Sequence, residues 1–284
     1  MPALDAHELQ ALVRAALAED LGSGDATSVA TIRERSRSRA SMVAREPLVA
    51  AGLDLAAAAF RETSSETVVR LETHDGTRLV AGATLVNVEG PTRALLAAER
   101  VALNYVQRLS GIATFTAGFV SAVAGTKARI LDTRKTTPGW RRLEKYAVRC
   151  GGGTNHRQSL SDLILIKDNH LAALRGASPN PVAAAVTQAR HHFPYLKVEV
   201  EADRLDQVSQ ALEAGADIIL LDNMSLEQLR EAVVLCRGRA LTEASGGVRL
   251  ETVRAIAETG VDFISAGALT HSARSVDIGL DFVD

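Results

Sequence analysis

Three short strings between Ile130 and His170 gather a dense set of reactive side chains: Asp132-Thr133-Arg134-Lys135-Thr136, Asn155-His156-Arg157 and Lys167-Asp168-Asn169-His170. From residue 127 to 168, lysine and arginine outnumber aspartate and glutamate ten to four, although the whole chain carries a formal net charge of −2. The surplus is local. Two of the basic clusters directly follow apolar runs, Ile130-Leu131 and Leu163-Ile164-Leu165-Ile166. Cations placed at the ends of buried strands, where sites are built, suit the capture of a small anion.

Acidic groups stand further along. Residues 198–203 read Val-Glu-Val-Glu-Ala-Asp, and period-two geometry sends Val198, Val200 and Ala202 one way and Glu199, Glu201 and Asp203 the other. An edge strand with one wet face would allow this. Acids turned into a barrel would need cations, and the preceding basic clusters supply them. Asp222 ends the run Ile218-Ile219-Leu220-Leu221, where a carboxylate can hold Mg²⁺ or ribose hydroxyls, or cap the helix that follows. Beside Glu201 the ligand role is preferred. Ala244-Ser245-Gly246-Gly247 and Ala266-Gly267-Ala268-Leu269 close the last two strand runs, and glycine there lets backbone N–H groups approach a phosphate. Gly151-Gly152-Gly153 reads as a flexible lid or a backbone cradle. His156 alone has no claim to catalysis.

Several chemistries are disfavoured. The seven histidines show no zinc spacing, and there is no Walker loop, nucleophile elbow or Gly-x-Gly-x-x-Gly after the first strand of the repeated units. Near-balanced charge argues against nucleic acid as the main partner. Cys150 and Cys236 form no disulfide framework, which suits a reducing cytoplasm. Residues 4–19 form an amphipathic helix with Leu4, Leu9, Leu12, Val13 and Leu17, and no stretch is long enough to cross a bilayer.

The elements that must position these residues fall into two parts. Residues 1–111 read as an α+β sandwich domain: the opening helix, a turn cluster at 20–25, and strand-like segments near 40–52, 67–74 and 77–90. His74-Asp75-Gly76 gives a hairpin signal between the last two. The segment 75–90 faintly resembles a biotinyl or lipoyl carrier hairpin but lacks the lysine at the turn, so a plain sheet is the better reading. Pro91 opens a helix over 92–109 whose Arg93, Arg100, Asn104 and Gln107 make one polar stripe, either solvated or lining a pocket. Residues 112–272 alternate strand candidates (128–132, 163–167, 197–202, 217–222, 240–243, 262–266) with helices (181–191, 204–214, 225–236, 249–258). Six such units imply a parallel sheet, either doubly wound or closed into an incomplete (β/α) barrel of about six strands, and the barrel is preferred. The tail, 273–284, is expected to pack back on the first domain.

The block Asp132–Gly139, Lys145-Tyr146-Ala147-Val148, Gly151–Arg157 and Ile166–His170 closely resembles the quinolinate phosphoribosyltransferase family. Glu19–Asp25, Glu99-Arg100, Leu109–Thr114, Leu221-Asp222-Asn223, Ser245-Gly246-Gly247 and Gly267–Ser272 extend the likeness to nearly the whole chain. Trp140 stands where Leu or Phe is commoner, and Gln158-Ser159-Leu160 replaces a segment that often carries glycine.

The resemblance implies transfer of phosphoribose from phosphoribosyl pyrophosphate to quinolinate, with Mg²⁺, giving nicotinate mononucleotide, pyrophosphate and CO₂. It assigns quinolinate binding to Arg100, Arg134, Lys135, His156, Arg157 and Lys167, and a substrate contact to Thr133, with Arg100 reaching into a neighbouring subunit's site in a homodimer. Glu201 and Asp222 would hold Mg²⁺ or ribose hydroxyls. Ser245, Gly246, Gly247, Gly267, Ala268 and Leu269 would meet phosphate, assisted by His271. Lys135, Lys167, Glu201 and Asp222 are the catalytic candidates, and the proton donor stays open among Lys135, Lys167 and water. The rivals are a phosphoribosyltransferase for a monocarboxylate, which should need fewer cations, and a non-enzymic barrel that binds anionic metabolites.

Overall fold

The computed structural model describes residues 5–283, so Leu4 of the expected first helix lies outside the described residues. Two compact units are present. The first comprises the described residues up to Ala117, the excursion Arg142–Gly152 and the tail from Ala273; the second comprises Gly118–Arg141 and Gly153–Ser272.

In the first unit, α1 (Ala6–Leu21) starts at Asp5, whose carboxylate accepts from Glu8 N at 2.8 Å, and it buries Val13 and Leu17. The turn cluster then starts α2 (Ala26–Thr31) by the same device, Asp25 accepting from Ser28 N at 3.0 Å. β1 (Arg37–Ala44) and β2 (Leu48–Val49) follow, then α3 (Leu53–Thr63), β3 (Val68–Leu71), β4 (Arg78–Leu79) and β5 (Thr84–Pro91). β1 pairs antiparallel with β5 on one side and with the last strand, Ile278–Val283, on the other; β3 pairs with the far edge of β5.

Two expectations fail here for one reason. The strand segment 40–52 divides into β1 and β2, and α3, unforeseen from the sequence, follows at once. His74-Asp75-Gly76 makes no tight hairpin turn either: the two expected segments do pair, β3 with β5, but through a longer connection that carries β4, which pairs with β2. Gly52, at φ 92°, turns the chain into α3 without any side-chain cap of its own. Asp75 supplies that cap from a distance, accepting from Gly52 N at 2.8 Å and Leu53 N at 3.2 Å. Asp75 is a tertiary helix cap, and local spacing could not announce it.

α4 (Thr92–Ala122) overruns its expected end, so the boundary placed at 111/112 falls inside a continuous helix. Gly111 does not stop it. A Cβ there would stand 2.0 Å from the Arg274 carbonyl oxygen, so this glycine serves close packing against the tail. Arg93 donates to the Ile32 carbonyl at 2.9 Å and Gln107 to that of Ile278 at 2.7 Å, which removes both from the polar stripe; Arg100 and Asn104 remain exposed.

The second unit carries β6 (Arg129–Leu131), after which α5 (Arg141–Cys150) lies almost wholly in the first unit. Then come β7 (Ile164–Ile166), α6 (Asp168–Ala173), α7 (Pro181–His192), β8 (Val198–Ala202), α8 (Leu205–Glu213), β9 (Ile218–Asp222), α9 (Leu226–Cys236), β10 (Leu241–Ser245), α10 (Leu250–Ala257), β11 (Phe263–Ser265) and α11 (Ala268–His271); β12 (Ile278–Val283) returns to the first unit. The sheet order is β6-β11-β10-β9-β8-β7, with every pairing parallel. A doubly wound sheet starts in the middle and runs outward both ways. Here each strand neighbours its sequence neighbours in cyclic order, with one seam between β6 and β7, so the sheet is an incomplete barrel. Thr154 bridges to Leu131 beside that seam. Among the described residues no helix is long and apolar enough to cross a membrane.

Candidate active site

At the C-terminal strand ends of the second unit lies a cavity of about 910 Å³. β6 ends in Leu131, so Thr133, Arg134 and Lys135 fall on the loop above it, at the mouth. Two contacts pin that loop: Lys135 N donates to Thr133 Oγ1 at 3.0 Å, and buried Thr270 donates to the Lys135 carbonyl at 2.7 Å. Arg157 enters from the seam loop, its Nη1 donating to the Leu163 carbonyl at 3.2 Å. Arg134 keeps its Nε buried without a hydrogen-bond partner. Burial, reinforced by the Arg134 charge, pulls the Arg157 guanidinium below its ordinary pKa. Two guanidiniums that repel each other while one holds an unused donor make a receptor for a carboxylate.

The opposite charge enters from β8 and β9. Alternation along β8 works as the pattern requires: Val198, Val200 and Ala202 are buried, and Glu201 faces the cavity. Asp203 departs from the expected set because β8 ends at Ala202; it is exposed and paired with Arg204 at 3.2 Å. Glu201 accepts from Lys167 Nζ at 2.7 Å. Asp222, on the adjacent strand, lines the same cavity and does not cap α9, because Ser225 performs that task by accepting from Gln228 N. Two carboxylates on adjacent strand ends form an all-oxygen donor set, which fits a hard divalent cation completed by substrate oxygens.

Below the basic mouth sits a buried cluster. His156 Nε2 lies 3.1 Å from Glu199 Oε2 and 3.5 Å from Glu243 Oε2, and both acids are essentially inaccessible. Burial alone would depress the imidazole, but hydrogen bonds to the two carboxylates outweigh it and raise its pKa to about 10. Burial pushes the Glu199 carboxyl upward. Arg157 N donates to His156 Nδ1 at 2.7 Å, which is the arrangement of an imidazole carrying its proton on Nε2. A second proton on Nδ1 would displace that contact, so the two features oppose each other. The fixed point is the Nε2–H between two carboxylates.

Residues 25–110 match the N-terminal domain of quinolinate phosphoribosyl transferase, and residues 112–281 match its C-terminal domain. The chain belongs to this family. It is 47% identical over 275 residues to the nicotinate-nucleotide pyrophosphorylase (carboxylating) of Mycobacterium leprae (strain TN), covering 95% of both chains. It is 41% identical to the quinolinate phosphoribosyltransferase (decarboxylating) 1b of Nicotiana tabacum, covering 98% of this chain and 83% of that one. Among solved structures, the nicotinate-nucleotide pyrophosphorylase of Francisella tularensis superposes with a TM-score of 0.93 at 39% identity, over 99% of this chain and 98% of the other.

Measured against what family membership leads one to expect, the cavity gathers Thr133, Arg134, Lys135, His156, Arg157 and Lys167, together with Glu201 and Asp222. Ser245, Gly246, Gly247, Gly267, Ala268 and His271 also line it. Gly246 has no alternative residue: its φ is 92°, and a Cβ would stand 2.2 Å from Asn223 Oδ1. Two expected residues are elsewhere. Leu269 is fully buried outside the lining, with its N–H given to the Ala266 carbonyl at 3.3 Å, so the tight turn into α11 has consumed the donor. Arg100 is exposed on α4 in the first unit.

The basic surplus is also divided. Arg142 pairs with Glu8 at 2.7 Å and Lys145 is wholly buried, both in the first unit. Gly151 is neither lid nor cradle. A Cβ there would come within 2.3 Å of the Ala113 carbonyl oxygen, so it packs α5 against α4. His170 accepts from Lys167 N at 2.9 Å and so braces the turn into α6. The Gln158–Leu160 departure is a loop clamped by Asp162, which accepts from Gln158 N at 2.7 Å. Glu243, Asn223, Arg249 and Ser265 line the cavity although no motif singled them out.

Proposed function

We propose that this protein transfers the phosphoribosyl group of phosphoribosyl pyrophosphate to quinolinate with loss of CO₂, giving nicotinate mononucleotide and pyrophosphate for NAD biosynthesis. The observation that carries the reading is the division of one cavity into an arginine pair with an unused donor and a Glu201–Asp222 corner braced by Lys167. A pyridine dicarboxylate needs the first, and a sugar diphosphate needs the second. A monocarboxylate would leave part of the cationic mouth uncompensated.

Arg134 and Arg157 hold the quinolinate carboxylates and aim the ring nitrogen at the anomeric carbon of the sugar. Attack there expels pyrophosphate through a cation-like ribosyl state, which Glu201 and Asp222 stabilise electrostatically. Glu201 and Asp222 would hold Mg²⁺, which when bound neutralises diphosphate charge. The loops at Ser245–Gly247 and Gly267–Ala268 receive phosphate, with His271 beside them. The ribosylated ring nitrogen is then an electron sink: the 2-carboxylate leaves as CO₂, its bonding pair stays on the ring carbon, and a proton completes the product. Lys135, Lys167 or water supplies it.

Arg100 acts in a neighbouring subunit's site, which accounts for an exposed arginine beside exposed Asn104 on α4 and makes the working unit a dimer. Unpaired Cys150 and Cys236 suit a cytoplasmic setting. The test is direct. Purified protein mixed with quinolinate, phosphoribosyl pyrophosphate and Mg²⁺ should release CO₂ and form nicotinate mononucleotide. Turnover of nicotinate in place of quinolinate would overturn the reading.

A further inference from the structure

The least comfortable groups in the second unit are Glu199 and Glu243. Each is buried, and each keeps one carboxylate oxygen, Oε1, with no hydrogen-bond partner. Buried orphan acceptors weaken a fold, and apolar side chains of similar volume would pack the barrel interior at lower cost. Their stabilising contribution therefore does not explain them. What their other oxygens do is specific: from β8 and β10 they converge on a single atom, His156 Nε2. The donor atoms of these three residues lie within 4.8 Å of one another, close enough to ligate an ion, but Nε2 sits at hydrogen-bond distance from Glu199, 3.1 Å, with Glu243 behind it at 3.5 Å.

The chain of contacts continues beyond the ring. With Nε2 held, Nδ1 is turned to accept from Arg157 N. The His156 backbone N–H is itself fixed by buried Asp132 Oδ1 at 2.9 Å. The loop that carries Arg157 therefore hangs on three buried acids, contributed by β8, β10 and the end of β6. An imidazole free to rotate would release the Arg157 backbone.

We propose that Glu199 and Glu243 are positioning residues of the quinolinate site: they lock the His156 ring through Nε2–H and thereby set the direction from which Arg157 meets the substrate carboxylate. This rests on the functional reading above and deepens it. Glu199 does not line the cavity, and Glu243, which does, is only 1% exposed and turns Oε2 toward His156, so their loss should act chiefly on quinolinate.

The experiment compares Glu243→Leu with Glu243→Gln. The leucine removes the acceptor at similar volume, and the KM for quinolinate should rise roughly tenfold, the worth of one charged hydrogen bond. The KM for phosphoribosyl pyrophosphate should stay within about twofold, and the Tm should not fall, since an orphan oxygen has been removed. Glutamine still offers an oxygen to Nε2–H and should restore most of the loss. A parallel fall of Tm and rise of both KM values would make Glu243 merely structural and overturn the proposal; so would an unchanged quinolinate KM. Should the leucine variant not fold, the wild-type enzyme without substrates decides by proton NMR. A protected downfield imidazole N–H that disappears in His156→Gln supports the lock, and its absence refutes it. If wild-type protein makes nicotinate mononucleotide while Glu243→Leu keeps its quinolinate KM, only this inference fails; if wild-type protein makes none, the functional reading fails first.

Discussion

Arg157→Ala isolates the quinolinate end of the cavity. The Arg157 guanidinium donates from Nη1 to the Leu163 carbonyl and endures burial and the Arg134 charge. Losing it should cost the folded state little, because the strain it relieves offsets the bond it gives up. Binding is different. A hydrogen bond to a charged partner contributes about 1.5–3 kcal/mol, and the alanine leaves a substrate carboxylate facing a gap. At 1.4 kcal/mol for each factor of ten, quinolinate affinity should fall by roughly ten- to a hundredfold. Arg157→Lys should fall between the two, since an ammonium keeps the charge without the fork. Calorimetric titration with quinolinate and steady-state kinetics in both substrates measure the effect, and a thermal melt gives the control. An affinity within about twofold of wild type, with an intact melt, would remove Arg157 from the site and leave the arginine-pair argument without a foundation.

Three further outcomes are expected. Asp75→Ala strips the cap from Gly52 and Leu53 and the partner from Tyr146 Oη (2.7 Å), and should lower stability by about 2 kcal/mol or more, read as a fall in urea midpoint at constant slope. Gly246→Ala forces a side chain onto Asn223 at positive φ and should raise the KM for phosphoribosyl pyrophosphate roughly tenfold, with a smaller effect on quinolinate. Glu46 is held at a pKa of about 2, against an ordinary 4.5, chiefly by its hydrogen bond from Arg274. A lowered carboxylate stabilises fully above 4.5 and is lost as pH falls through 2, so the melting curves of wild type and Glu46→Gln should converge across that window.

Legibility followed locality. The barrel strands and most of its helices could be read because each is a run of apolar residues with its own period and stop, and parallel order leaves few arrangements. The first unit was harder. α3 depends on a cap from Asp75, and the excursion at 142–152 folds with sequence that precedes it by dozens of residues. Nothing in the neighbourhood of Leu53 or Arg142 records either contact. Arg142 and Lys145 counted toward an anion site on sequence, yet one pairs with Glu8 and the other is interior. A charge count weighs residues by number, whereas a site is defined by which of them share a solvent space.

Glu243 shows the limit most plainly, because the argument that found Glu201 would have found it too. In β10 the residues Leu241, Glu243 and Ser245 alternate with buried Thr242 and Ala244, just as Glu199 and Glu201 alternate with valines in β8. Glu243 and Glu201 both sit opposite Leu220 of the strand between them, so one row across the barrel carries acid, leucine, acid. A strand read as ending at residue 243 hides this, since the acid then falls at a terminus, where charge needs no explanation. Extended to Ser245, the same acid lies inside, and an interior acid must have a partner. The partner is His156, from a loop on the far side of the seam, and only the folded barrel brings the three together.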